Sequence, residues 1–163
     1  MLIALLLAGC ELYGKVGDDD VNKPGTLPEL LRAEWVYTPP GSPTPSERYN
    51  IDEDTVQYGY GGGESDMDYE GNIRFVSNYS ADSGVIIIEY TVPPSYPKYN
   101  GNSYFGIYYK NLTNDTVQLA NPINADYSSP DTETLEEAIR KFTRGKMGNY
   151  VDWGVVQPQK RVE

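Results

Sequence analysis

Val85-Ile86-Ile87-Ile88-Glu89-Tyr90-Thr91-Val92 is apolar on both of its alternating faces, interrupted by a charge at Glu89. Successive side chains of a strand point to opposite faces, so this run must be covered on both sides. It belongs at the centre of a sheet or beneath another packed layer. Upstream, Ala81-Asp82-Ser83-Gly84 supplies turn residues that fold the run back against residues 72–79.

The same pattern extends outward in both directions. Residues 67–69 and 72–79 flank Glu70-Gly71 and read either as one bulged strand or as a tight hairpin. Residues 104–110 and 116–120 flank Asn111-Leu112-Thr113-Asn114-Asp115, a β-hairpin whose Asn and Asp suit positive-φ positions. Residues 48–51 and 55–60 are short strands joined through Asp52-Glu53-Asp54. A helical turn at 29–32 leads into the first strand, 33–37, and residues 150–157 read as the last strand before a polar tail. Proline-rich 39–45, Gly61-Gly62-Gly63 and the Pro/Tyr-rich 93–101 cannot join a ladder and are loops.

One helix is expected after Pro130. Leu135, Ala138, Ile139 and Phe142 fall on a single apolar stripe. Acidic residues crowd its start, Arg140, Lys141 and Arg144 its end, and Gly145 stops it. Seven to nine strands joined by short turns imply antiparallel neighbours. The expected fold is therefore all-β, a small antiparallel barrel with one short helix before the last strand; a β-sandwich is the alternative. The helix either plugs one mouth or packs across the outside.

The N-terminus carries a different signal. Residues 2–9 are a short apolar run, too short to cross a bilayer, and Leu7-Ala8-Gly9-Cys10 ends it at the only cysteine in the chain. This tetrapeptide resembles a bacterial lipobox. The resemblance implies a signal peptide over 1–9, diacylglycerol attached to the Cys10 thiol, and usually acylation of its new amino group. Such acyl chains hold a protein durably at a membrane. No Lys or Arg precedes Lys15, so the basic start of such a peptide would lie upstream of Met1. Glu11 in place of Asp favours outer-membrane sorting. Residues 10–28, with Asp18-Asp19-Asp20 and several Gly and Pro, read as a flexible tether, and 29–163 as one β-rich domain.

Composition excludes several chemistries. Thirteen Lys and Arg stand against 24 Asp and Glu, a net charge of -11, which disfavours nucleic acid and anionic lipid headgroups as partners. Histidine is absent, which removes the usual His-dependent nucleophilic sites and His-containing zinc sites. No cofactor or metal is expected, and the domain is expected to be a monomer. Trp35 in the first strand and the strand order over 33–157 resemble the small lipocalin-like, or calycin, barrels, although Ala33-Glu34-Trp35 replaces their Gly-x-Trp. Residues 104–120 together with 150–157 resemble uncharacterised lipoproteins of spirochaetes, a resemblance that carries no catalytic residues.

Fifteen tyrosines suit half-buried strands and contact surfaces alike. Trp35, Tyr58, Tyr60, Tyr90, Phe105, Tyr109 and Trp153 are the candidates for lining a barrel cavity, with Glu89 as the acid among them. Tyr96 and Tyr99 mark a contact surface in their loop. Asp52, Glu53 and Asp54 could hold calcium with Glu64, Asp66 and Asp68 if the two segments converge, but solvated turns are the favoured reading of these acids. The leading expectation is a non-enzymatic binding module on the bacterial envelope, anchored to the membrane through Cys10 and engaging a protein or small-molecule ligand. The alternatives are a carrier of an apolar ligand inside the barrel and a hydrolase using carboxylates such as Glu89 and Asp152.

Overall fold

The computed structural model describes residues 24–61, 67–94, 101–123, 130–143 and 151–163. Among them eight strands follow one another around a ring: β1 (Glu34–Tyr37), β2 (Glu47–Ile51), β3 (Thr55–Tyr60), β4 (Met67–Ser80), β5 (Ser83–Val92), β6 (Tyr104–Lys110), β7 (Thr116–Ala120) and β8 (Gln159–Arg161). Every neighbouring pair is antiparallel, and β8 pairs back onto β1, so the sheet closes into a barrel rather than splitting into a sandwich. Closure removes the two free edge strands that an open sheet would offer another chain.

Parity along β5 sorts the two apolar faces. Ile86 and Ile88 belong to the core inside the barrel, together with Trp35, Tyr49, Ile107 and Leu119. Val85 and Ile87 face outward and join a second core with Phe75 and Tyr108. The helix α1 (Leu135–Thr143) covers that outer face, burying Ala138 and Phe142 against it. Of the two placements expected for the helix, the outside is the one found. Its start is capped where Thr134 Oγ1 accepts the Glu137 amide at 3.2 Å. Its end is held by the Tyr79 and Tyr108 hydroxyls, which donate to the Phe142 carbonyl at 2.9 and 3.1 Å. Phe142 sits flush on β6 because residue 106 is glycine: a Cβ there would lie 2.6 Å from the ring. The expected stop at Arg144 and Gly145 lies outside the described residues.

Residues 67–80 form one strand, with register shifts at Glu70/Gly71, Ile73/Phe75 and Asn78/Ser80, so the bulged-strand reading holds rather than the hairpin. The hairpin between β6 and β7 turns at Asn111, whose φ of 55° is the positive value expected of an Asn there.

The expected last strand needs correction. Residues 151–157 form turns and irregular chain, and the polar tail supplies the closing strand β8. Val151, Trp153 and Val156 are apolar because they pack on the outer core beside α1. Pro158 lacks an N–H and cannot extend the ladder. Beyond the pairs Thr116↔Lys160 and Val117↔Gln159, side chain replaces backbone. The fully buried Gln159 accepts the Leu119 amide at 2.8 Å and donates to the Leu119 carbonyl at 3.5 Å.

An up-and-down barrel has two unlike ends. The intervals 52–54, 81–82 and 111–115 connect strands at one end; 38–46, 61–66, 93–103 and 121–158 connect them at the other. The chain enters β1 and leaves β8 at the short-turn end. There Gly25 donates to the Val76 carbonyl at 2.7 Å and Asn78 to the Thr26 carbonyl at 3.0 Å. Leu27 and Leu31 close the interior from below, and the Trp35 indole N–H donates to the Leu31 carbonyl at 3.0 Å.

Candidate functional site

The mouth at the long-connection end is built by strand alternation. On β2, Glu47 shares a face with Tyr49 and Ile51, both buried in the interior. On β3, Val56, Tyr58 and Tyr60 share the corresponding face, and the register sets Tyr60 opposite Glu47 and Tyr58 opposite Tyr49. The next strand adds Tyr69 opposite Tyr58. Rings of Tyr49 and Tyr58 lie 4.7 Å apart, and those of Tyr58 and Tyr69 stack at 5.0 Å. Tyr90 and Phe105 continue the series, 5.7 and 6.1 Å from Tyr69. These rings form the floor of the mouth.

Polar groups gather above that floor. The Tyr69 hydroxyl reaches across to Asn121 Oδ1 at 2.8 Å. Gln159 Nε2 donates to Glu47 Oε2 at 3.2 Å. Burial pushes the Glu47 carboxyl above its ordinary pKa, and the Gln159 hydrogen bond only partly offsets this. Glu47 forms no ion pair among the described residues. Burial also raises the Tyr58 phenol, and the nearby carboxyls of Glu47 and Asp68 raise it further. At the lip, Tyr60 is 67% exposed, and Met67 and Val92 are exposed as well.

The candidate residues divide between three environments. Trp35, Tyr58, Phe105 and Tyr109 are buried in the barrel interior, and the partly buried Tyr90 packs against them. Tyr60 stands at the lip. Glu89 and Trp153 do not line the interior: both lie on the outer wall. Glu89 shares the parity of Ile87, accepts from Arg74 Nε at 2.7 Å and from the Tyr104 hydroxyl at 3.5 Å. Trp153 packs on the outer core with Lys110 Nζ 5.6 Å from its ring centroid, and its indole N–H has no acceptor among the described residues. Asp152 is exposed and accepts the Gly154 amide at 3.0 Å, a turn contact.

The calcium grouping also divides. Asp52, Glu53 and Asp54 occupy a short turn, whereas Asp68 lies near the start of β4, with the length of β3 between them. Among the described residues no three acids gather as a metal site would require. Cys10, Asp18-Asp19-Asp20, Gly62, Gly63, Glu64, Asp66, Tyr96 and Tyr99 lie outside the described residues. At the entry end, a surface hollow of about 480 Å³ is lined by Thr26, Leu27, Glu29, Arg32 and Asn78. Arg32 there pairs at 3.7 Å with Glu53.

Tyr49, Tyr69, Glu47, Asn121 and Gln159 are mouth residues that the sequence reading did not single out. Alternation from Tyr49 and Ile51 marks Glu47 as inward once one face of β2 is known to be internal. Gln159 carries no such signal, because its strand is three residues long. The chain matches no family model, no curated protein and no solved structure.

Proposed function

We propose that this protein is a bacterial envelope lipoprotein, anchored through lipid on Cys10, whose barrel is a non-enzymatic binding module working through the long-connection mouth. One observation carries the reading: every long connection lies at the end opposite the one where the chain enters and leaves. A tether that begins at Cys10 and joins the barrel at the short-turn end directs the long connections and the exposed Tyr60 and Met67 away from the anchor. Loops on a rigid scaffold are where binding residues concentrate. The stacked rings of Tyr49, Tyr58 and Tyr69 occupy part of the lumen that a carrier of apolar ligands would use. Glu89 and Asp152, the two acids named as examples for a carboxylate hydrolase, are engaged in separate contacts on the outer surface.

Radiolabelled palmitate feeding in a bacterial host tests the anchor. The wild-type protein should take up label and sediment with membranes, and Cys10→Ala should do neither. Equal labelling of both proteins, or an unlabelled soluble wild type, overturns the reading.

A further inference from the structure

Resting on the reading of the mouth as the working end, we propose that it receives an organic cation, an alkylated ammonium group seated on the Tyr60 ring beside the Glu47 carboxylate. Two independent features meet there. The first is an exposed aromatic side chain: Tyr60 is 67% exposed at the lip, whereas Tyr49, Tyr58 and Tyr69 on the same side of the mouth are buried. The second is a half-buried carboxyl with no ion pair among the described residues. Glu47 stands in register with Tyr60, and its hydrogen-bond partner among the described residues is the neutral amide of Gln159. The nearest basic residue in sequence, Arg48, is committed to Glu34 at 3.2 Å.

Each feature selects for positive charge. The face of an aromatic ring is its negative pole and attracts cations, quaternary ammonium groups above all. A carboxylate drawn partly out of water and lacking an ion pair adds attraction that water screens incompletely. Anions are disfavoured at the same place, because the Glu47 carboxylate repels them. A bulky alkylammonium carries little hydration to lose and matches a site offering one ring and one carboxylate better than it matches water. A neutral sugar would stack on Tyr60 equally well but would draw nothing from the charge of Glu47.

Calorimetric titration of the detergent-solubilised full-length protein distinguishes these cases. Choline should bind at least about tenfold more tightly than 3,3-dimethyl-1-butanol, its uncharged isostere, with affinity falling as salt rises. Glu47→Gln and Tyr60→Leu should each abolish that preference while retaining the wild-type far-ultraviolet circular dichroism. Equal binding of the two isosteres, or no saturable choline binding, overturns the proposal. Saturable binding of a neutral disaccharide that is lost in Tyr60→Leu, without any response to choline, also overturns it but leaves the binding-module reading standing. Loss of palmitate labelling would remove the anchor without touching the choline result.

Discussion

Glu47 and Glu89 are both strand glutamates, and their surroundings give them different work. Glu89 is neutralised on the outer wall by Arg74 at 2.7 Å. Glu47 is held at the mouth by an amide, and burial favours its protonated form in the folded state. The folded protein therefore binds more protons than the unfolded chain just above the ordinary glutamate value of 4.5, and stability falls as pH rises through that window. Glu47→Gln should be more stable than the wild type at neutral pH, with the difference vanishing below about pH 4.5. Urea denaturation across that range measures it; a variant less stable at neutral pH than the wild type would contradict the assigned burial. Sequence drew attention to Glu89 because its strand is apolar. Parity with Ile87 puts it outside, but a strand apolar on both faces does not announce which face is inner.

At the scale of elements, the outer core explains why β5 is hydrophobic throughout. Helix α1 and residues 151–156 cover Val85 and Ile87 just as the lumen covers Ile86 and Ile88. The contact depends on Gly106, where a methyl would meet the Phe142 ring at 2.6 Å. Gly106→Ala should cost about 1–3 kcal/mol by overpacking and should loosen the helix. Thermal melts and the helical circular dichroism signal read this, and an alanine variant as stable as the wild type would refute the close approach. The helix was readable from its apolar stripe and the acidic-to-basic bias along it because both signals are local. Residues 150–157 misled because a segment packed on the outside of a barrel wall can show the same apolar spacing as a strand.

For the whole molecule, closure rests on the shortest strand. β8 contributes three residues, and Gln159 completes the join to β7 through its side chain. A chain ending at Pro158 would expose β1 and β7 as facing edges and lose the buried Gln159 amide. Such a truncation should lose cooperative unfolding and the near-ultraviolet tyrosine signal, and should self-associate on size exclusion. A monomeric truncation with a wild-type melt would show that the barrel does not need its seam. Gln159→Leu isolates the amide: it fills the space but leaves the Leu119 N–H unsatisfied, at a cost of about 1–3 kcal/mol in denaturant titration.

Local information in the chain was sufficient for the strand class, for most strand positions, for the helix and for the turn at Asn111, because alternation, helical periodicity and turn chemistry act within a few residues. It also marked Cys10 and an acidic composition free of histidine. Which face of each strand points inward, which segment closes the ring, and which residues share the mouth came from the fold alone. Those answers depend on surfaces far apart in sequence meeting across the barrel, as Tyr69 meets Asn121 and Glu47 meets Gln159. No short-range pattern encodes such a meeting, since it is the closing of the sheet that brings the partners within reach.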